Sequence, residues 1–287
     1  MSVPPRGPHY LCPRSVGPDT DVMLMRMQGC QVMGRGSHLV VRHPVESGWA
    51  RGNALVLQPD SLRHGIGHWQ TVADNELPGC RSAYFIVDDP DPDVTVWSRA
   101  AADGGMSLEL QTVAVMDPAE LAQSVAPGYR LVRLDTADEW TTAARLTAAS
   151  DREPARLYPM LIEQMTRLRR AVGAGHGAGS WFAALTEPTG TDDAAESPTM
   201  VAALGLFTDG GGSARYRTVV TASAHRGRGV ASALISFAGR TAARDWAVSR
   251  LVIAAEADSA AERLYRQLGF GSAQRQVELF SAARPTA

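Results

Sequence analysis

The chain has 287 residues, with 28 basic side chains against 30 acidic ones and a formal net charge of −2. All the basic side chains are arginines, so the sequence has no lysine for a Schiff base, a Walker A loop or a protein-kinase active site. The near-neutral charge gives no general attraction to nucleic acid or anionic membranes. The share of apolar residues (45%) is typical of a globular protein, and the length suits two domains or one elaborated domain.

The first half of the chain is predicted to form an α/β unit. Residues 1–20 are expected to be flexible and residues 21–117 to form a domain. Apolar and β-branched runs indicate its strands, and apolar residues spaced three or four apart indicate its helices. In chain order the predicted elements are strand 38–43, strand 53–57, a helix over 62–72, strand 83–87, helix 94–102 and strand 108–115.

Residues 118–127 are predicted to be a linker, because prolines near both ends disfavour a continuous helix, although residues 119–123 suit a helical turn. Residues 128–287 are expected to form a second domain of mixed α/β class. Its predicted elements are strand 129–134, helices 138–149 and 154–171, a glycine-rich loop 173–179, strand 181–185, an acidic loop 187–198, strands 200–207 and 215–221 joined by a glycine-rich hairpin turn, helix 229–244, strand 250–255, helix 260–268 and strand 277–280.

The turn between strand 215–221 and helix 229–244 contains Arg226-Gly227-Arg228-Gly229. The start of a helix has unpaired N–H groups with a partial positive charge, and glycines let a ligand approach the backbone closely. Together with the two arginines, these amides predict a site for phosphate or pyrophosphate. A strand-to-helix turn without a ligand is the alternative.

One interpretation of this anion site is a dinucleotide-binding fold. Gly227-x-Gly229-x-x-Ser232 nearly matches the GxGxxG pattern. That pattern requires a strand that ends at the first glycine and an acid about 20 residues on, at the end of a second strand. Residues 222–226 instead separate the strand from Gly227, and Asp245 lies at the end of a helix, so the match is poor.

A second interpretation rests on two motifs. Arg226-x-x-Gly229-x-Ala231 resembles the R/Q-x-x-G-x-G/A loop of the GNAT N-acetyltransferase superfamily. Residues 258–270, DSAAERLYRQLGF, resemble the N-x-x-A-x-x-L-Y-x-x-x-G-F segment of the same superfamily, with Asp258 where asparagine is usual. Over residues 129–280, the order of the predicted elements resembles that of a full GNAT domain. It implies an α/β (α+β) fold with a mixed, mostly antiparallel sheet flanked by helices.

The resemblance also implies an activity, namely transfer of an acyl group, acetyl first of all, from acetyl-CoA (coenzyme A) to a primary amine of a small molecule or peptide by direct attack. Tyr265 is implied as the general acid that protonates the departing CoA thiolate. Asp258 is implied near the pantetheine, where it accepts a hydrogen bond but cannot donate one as an amide does. The other residues implied in CoA binding, through their backbone, are Val219, Val220, Thr221, Arg226, Gly227, Arg228, Gly229, Val230 and Ala231.

Two points stay open at these residues. Tyr265 lies on an apolar stripe of helix 260–268. The same pattern is typical of a core-facing helix, so a buried structural tyrosine is the alternative to a catalytic one. The general base is not fixed by the pattern, because strand 215–221 contains no acid. Glu256, Glu163 and His225 are the candidates, and a chain of water molecules is the alternative.

The first half resembles the later part of a GNAT domain in its order of hairpin, helix, strand, helix and strand, but it contains neither motif. We therefore expect a degenerate GNAT-like domain that does not bind CoA. Trp49-x-x-Gly52-Asn53 is similar to a W-x-x-G-N segment of two-part bacterial members. The similarity implies that this segment packs against the catalytic half and shapes the acceptor cleft.

The remaining features indicate an ordinary cytoplasmic protein. Cys12, Cys30 and Cys80 are odd in number and form no CxxC pair, which favours a reducing compartment. There is no signal-type apolar segment and no run near the ~18 apolar residues of a membrane helix. His64 and His68 are spaced as two metal ligands on a helix are, but they lack a third ligand and are expected to be solvated. We expect no metal, nucleic-acid or membrane partner, and a homodimer is compatible with the sequence.

Two other functions fit the same motifs. A CoA-binding sensor or interaction module without transferase activity is suggested by Asp258 and by the missing acid on strand 215–221. Decarboxylation of malonyl-CoA on a GNAT scaffold is the other, because a fold does not fix a function.

Overall fold

The computed structural model describes residues 12–46, 48–80, 82–150, 154–187 and 198–281. Most of the predicted acidic loop, and residues 1–11 of the segment predicted to be flexible, lie outside these ranges. By their contacts the residues form two compact units, of which the first comprises residues 1–114, 254–263 and 272–287 and the second comprises residues 115–253 and 264–271. The contiguous domains expected from the sequence stay a prediction.

The chain forms seven helices and eleven strands within the described residues. In chain order they are α1 Val16–Met27, β1 Gln31–Gly34, β2 His38–Arg42, β3 Asn53–Leu57, α2 Ile66–Glu76, β4 Tyr84–Val87, α3 Val94–Asp103, β5 Met106–Met116, β6 Tyr129–Leu134, α4 Ala137–Ala148, α5 Pro154–Gly173, β7 Ala178–Thr186, β8 Met200–Thr208, β9 Ser213–Thr221, α6 Val230–Trp246, β10 Arg250–Glu256, α7 Ala260–Gln267 and β11 Gly271–Ser281. Short 3-10 turns lie at Ala50–Gly52, Pro59–His64, Pro118–Glu120 and Ser223–His225.

In the first unit the strands follow the order β1-β2-β3-β4-β11-β5. β3 and β4 are parallel, and the other pairs from β1 to β11 are antiparallel. Successive side chains of a strand point to opposite faces, so Leu55 packs in a cluster with Trp69 of α2 and Trp97 of α3, whereas Val56 packs in one with Val22 of α1. Helices therefore cover both faces of this sheet.

Helix α1 was not predicted, and its first five residues lie in the segment expected to be flexible. Nine of its twelve residues are buried, so the helix has no polar face and no amphipathic stripe that a sequence reading detects. Gly17 and Pro18 in the first turn add a loop-like signal, although proline is tolerated there. Asp88 fixes this end by accepting hydrogen bonds from the backbone N–H groups of Arg14 and Ser15.

In the second unit the strands follow the order β10-β9-β8-β7-β6. β9 and β10 are parallel, and the other neighbours are antiparallel. Trp181 and Phe182 are adjacent on β7 and are both buried. The ring of Trp181 meets Trp140 of α4, and the ring of Phe182 meets Phe237 of α6, so these two helices cover opposite faces.

The element predictions agree with the structure in most of the chain, and strands 53–57 and 129–134 agree at both ends. The predicted helix over 62–72 is instead a 3-10 turn and α2, separated at Gly65, whose φ is +74°. The glycine-rich loop is shorter than predicted, because α5 extends to Gly173 and β7 begins at Ala178. β1 was missed, and β11 is longer than the predicted strand 277–280.

Candidate functional site

In the second unit, the bulged strand β9 also forms a parallel pair with β10. The register between β8 and β9 shifts between Ala203 and Gly205, and Thr218 of β9 has a φ of +50°, in the left-handed region. Such a bulge bends a strand and redirects its side chains. β9 pairs with β10 over residues 213–215 and then continues to residue 221. Val219, Val220 and Thr221, which are implied in binding an acyl-CoA, lie in this continuation.

The turn after β9 leads directly into α6, which begins at Val230 with Gly229 as its N-terminal cap. Gly227 and Gly229 both have a φ of +74°, a conformation that strains a residue with a Cβ atom. Within the described residues, no side chain caps the first turn of α6. The N–H groups at this end of the helix are therefore left for water or for an anionic ligand.

Both arginines of the turn are exposed. The Nε atom of Arg226 donates a hydrogen bond to the carbonyl oxygen of Thr221 at 3.1 Å, which folds its guanidinium back towards the end of β9. Arg228 lies between the two glycines. The turn thus brings together two cations and a free helix start, while Val230, which is buried, anchors the helix to the core.

A tyrosine–histidine contact supports the turn from outside. The hydroxyl of Tyr129 and Nδ1 of His225 are 2.9 Å apart, and the two rings meet edge to face at 5.7 Å. His225 belongs to the 3-10 turn before Arg226. The contact therefore joins this turn to β6. No local pattern predicts it, because 96 residues separate the partners.

Tyr265 on α7 is 6% exposed. Its ring lies 6.4 Å from that of Phe270, whose N–H donates a hydrogen bond to the Tyr265 carbonyl. Burial raises the pKa of the Tyr265 hydroxyl to about 12, and the charge of Arg215 acts in the opposite direction. The hydroxyl therefore holds its proton at neutral pH, as a general acid must.

Arg215 is a site residue that the sequence analysis missed. It lies on β9 at the pair with Val252 and is 4% exposed. A buried arginine acts on neighbouring groups through a medium that screens its charge weakly. Its neighbours Ala214 and Tyr216 are buried as well; this strand therefore lacks the alternation that separates inner from outer positions.

Asp258 adopts a left-handed backbone conformation, with a φ of +62°. Asparagine and aspartate enter this region more easily than other residues with side chains. Its N–H donates to Glu262 at 2.5 Å, and its carbonyl accepts from Arg263 at 2.8 Å. The left-handed conformation, which these backbone bonds hold, gives a local reason for an Asx residue at this position, independent of any ligand.

The three candidates for a general base lie in different surroundings. Glu163 on α5 is half exposed and accepts a hydrogen bond from Arg167 at 3.2 Å. His225 is engaged by Tyr129, and Glu256 is exposed at the end of β10. Glu163 is thus held in a surface ion pair, and no residue among the three is distinguished as a base by these contacts.

Comparison with known proteins points to one family. Residues 194–271 match the family model described as an acetyltransferase (GNAT) domain. The matched segment contains the bulged strand, the glycine turn, α6 and Tyr265. The match supports assignment to the GNAT superfamily. Members of this superfamily use acyl-CoA, so the match supports CoA-dependent acyl transfer in general. The resemblance and the mixed, mostly antiparallel fold expected from the sequence are both confirmed.

Solved structures share the fold over nearly the whole chain. A GCN5-related N-acetyltransferase from Kribbella flavida aligns with a TM-score of 0.61 at 14% identity and covers 96% of this chain and 97% of that one. A tandem GNAT protein from the clavulanic acid biosynthesis pathway gives 0.58 at 16% identity, over 96% and 91%. A functionally unknown conserved protein from Staphylococcus epidermidis gives 0.63 at 10% identity, over 89% and 95%. No curated protein matches the sequence.

Other expectations concern features outside the GNAT motifs. His64 and His68 are both exposed, with ring centroids 5.2 Å apart. The three cysteines are free. Across the described ranges, no three His, Cys, Asp or Glu side chains are placed to hold a metal ion. Nor does any helix in the described part of the chain have the length and apolarity to cross a membrane.

The W-x-x-G-N segment stabilises its own loop in the first unit. Trp49 is 8% exposed and packs in a cluster with Val22 of α1. Asn53 is 1% exposed; its side-chain oxygen accepts from the N–H of His43, and its side-chain nitrogen donates to the carbonyls of Glu46 and Trp49. These contacts give the segment a structural role within the first unit. Its implied role in shaping an acceptor cleft stays a prediction.

Gly52 of this segment tests that structural role. A Cβ atom at Gly52 would lie 2.1 Å from the ring of Trp49, so Gly52→Ala must displace a buried tryptophan. We expect the free energy of unfolding to fall by about 2–3 kcal/mol in urea titrations. Gly48→Ala is the matched control, because it lies in the same loop and its Cβ would meet no atom within 4 Å. Equal stability of the two variants would contradict the packing argument.

Proposed function

We propose that the protein is an N-acyltransferase that transfers an acyl group, most directly acetyl from acetyl-CoA, to a primary amine of a small molecule or peptide. The observation that carries the proposal is the parallel pair β9–β10, which is joined over residues 213–215 and leads to a glycine turn with an uncapped helix start. A pyrophosphate fits the N–H groups of that helix start. On the side away from β8, the continuation of β9 beyond residue 215 offers backbone groups to an amide-containing arm.

In the proposed reaction the lone pair of the amine attacks the thioester carbonyl carbon. The new C–N bond forms, the C–S bond breaks, and its electron pair passes to sulfur. Tyr265 supplies a proton to the departing thiolate, and the amine releases one, so protons balance over the cycle. Arg215 favours this step, because its charge stabilises the tyrosinate that remains. The acceptor of the amine proton is Glu256, Glu163, His225 or water.

The parallel strand pair of the first unit differs from β9–β10, which supports one CoA site per chain. There the parallel pair β3–β4 is joined through Leu57 and Val87, and the N–H of Asp88 donates to the Leu57 carbonyl at 2.8 Å. This pair stays closed at the ends of its strands, unlike β9–β10. We therefore expect calorimetry to give one CoA per chain. A stoichiometry of two would contradict the idea of a degenerate first half.

The pKa of Tyr265, about 12, predicts how kcat and kcat/KM depend on pH. Because the hydroxyl keeps its proton, kcat should show no alkaline decline below about pH 10, while kcat/KM rises as the acceptor amine loses its proton. The measurement is a rate profile from pH 6 to about pH 10.5 with a stable acceptor. A decline with a midpoint near pH 8 would assign the proton donation to another group.

A thiol-release screen tests the proposal as a whole. Acetyl-, propionyl- and malonyl-CoA are each offered with a panel of primary amines and short peptides, and free CoA thiol is measured. Release that depends on an amine supports the transferase. Binding of CoA without release across the panel would favour a sensor, and carbon dioxide from malonyl-CoA without an amine would favour decarboxylation.

A further inference from the structure

A cleft of about 340 Å³ lies in the second unit, outside the turn and Tyr265. It is bounded by α6, by β6 and by residues 123–127, and we refer to it as the α6 cleft. Its best placed apolar side chains are Val125, Leu131 and Phe237. Val125 is 71% exposed, although a valine in such a position would gain from burial. The walls therefore suit an apolar body of modest size.

Most polar groups of the α6 cleft are already engaged. The hydroxyl of Ser236 donates to the carbonyl of Ala122 at 2.7 Å, and that of Thr241 donates to the carbonyl of Phe237 at 2.8 Å. These hydroxyls have no free proton to offer a ligand. Apart from the polar side chains of Gln123, Ser124 and Tyr129, the groups in the lining that can recognise a charged ligand are its arginines.

Two arginines line the cleft one helical turn apart, Arg240 and Arg244. Arg244 is held by Asp245 through bonds of 2.6 and 3.1 Å. Arg240 is exposed, and among the described residues it has no acidic partner. An unpaired guanidinium at the edge of an apolar surface matches a planar carboxylate, which it binds through two parallel hydrogen bonds.

We propose that the α6 cleft binds a small amphipathic carboxylate, an aromatic or medium-chain acid whose apolar body lies on Leu131 and Phe237 and whose carboxylate pairs with Arg240. The volume is at the lower end for ligand pockets, which limits the body to one or two rings or a short chain. A cation is disfavoured, since the acid beside the cleft, Asp245, is paired with Arg244. A polyphosphate is disfavoured too, because one cation is free to meet it.

The carboxylate-binding end of the cleft lies away from the proposed CoA site, although the Val125 carbonyl at its other end is 3.9 Å from a Cβ built on Gly229. Arg240 follows Gly229 by eleven residues of α6, which places them about 16 Å apart along the helix axis. The two ligands should therefore bind independently. This also keeps the test of the cleft distinct from the test of acyl transfer, because neither outcome depends on turnover.

The experiment measures binding of 2-naphthoate to the full chain by calorimetry, with 2-naphthalenemethanol as the uncharged analogue. We expect the alcohol to bind at least about tenfold more weakly, and Arg240→Gln to weaken naphthoate binding by about the same factor. Arg145→Gln is the matched control, because Arg145 is an exposed arginine of α4, away from the cleft. Its naphthoate affinity should equal that of the unchanged protein.

A second variant adds a charge within the cleft. Val125→Glu adds a negative charge to the lining of the cleft at an exposed position, where the fold tolerates it, and should weaken naphthoate binding. Equal affinity for naphthoate and its alcohol, or equal loss in Arg240→Gln and Arg145→Gln, would overturn the proposal. Competition between saturating CoA and naphthoate would also overturn it, since the cleft would then belong to the CoA site.

Discussion

Replacing Tyr265 with phenylalanine is expected to lower kcat of acyl transfer by about 10²–10⁴-fold, while the dissociation constant of CoA changes by less than about threefold. The hydroxyl is the one group lost. The ring of phenylalanine keeps the packing against Phe270, so neither the fold nor the glycine turn should change. Initial rates of thiol release at saturating substrate give kcat, and calorimetry gives the CoA affinity.

Tyr216→Phe is the matched control for that substitution. Tyr216 is a second buried tyrosine of the same unit, 6.1 Å from Phe270, and burial raises its pKa as well. Its hydroxyl, however, donates to the carbonyl of Ile235 at 2.8 Å. We expect this variant to lose about 1 kcal/mol of stability and to keep its kcat within about twofold. Unchanged kcat in Tyr265→Phe would identify Tyr265 as a core residue, the alternative that its apolar stripe allows.

The turn from Arg226 to Gly229 could be predicted because its requirements are local. Gly227 and Gly229 each allow a left-handed φ angle within the turn, and both residues adopt such an angle in the structure. The helix that follows begins within one residue of its predicted start. Neighbouring residues determine short-range geometry of this kind, so a motif of six positions is enough to predict the turn.

The buried charges could not be predicted in the same way. Arg51 meets Glu278 across 227 positions of the chain, and no local pattern joins them. Arg215 lies between Ala214 and Tyr216, which are both buried, so this part of β9 is covered on both faces and no alternation marks the burial of Arg215. Helix α1 was missed for a related reason, because burial on nearly all sides removes the amphipathic signal.

Glu278 is the centre of the polar cluster that these distant contacts create. It is fully buried on β11. One of its oxygens accepts from Arg51 at 2.5 Å and from the hydroxyl of Tyr84, and the other accepts from Gln276 at 2.8 Å. Gln276 also donates to Asp21 at 2.7 Å. Two carboxyl groups thus share one amide, with a single guanidinium beside them.

Glu278→Ala is expected to lower the free energy of unfolding by about 2–4 kcal/mol, because the buried hydroxyl of Tyr84 loses its acceptor and Arg51, whose side chain is 37% exposed, loses its short ion pair. Glu278→Gln keeps the shape and one acceptor oxygen, and should cost less than half as much. Urea unfolding of the full chain measures both. Similar losses in the two variants would show that the carboxylate itself, rather than the shape and the acceptor oxygen that glutamine retains, stabilises this cluster.

The pH dependence of the Glu278→Gln comparison separates two electrostatic effects. Burial raises the pKa of Glu278 above its usual 4.5, and the nearby Asp21 and Glu109 act in the same direction, against the charge of Arg51. A carboxyl whose pKa is raised on folding binds more protons in the folded state. Its contribution is therefore complete below the unfolded pKa and is lost as pH rises through the folded one. The stability of the unchanged chain relative to Glu278→Gln should fall as pH increases from about 4.5. A relative stability that rises over this range would mean that Arg51, rather than burial, governs the charge of Glu278.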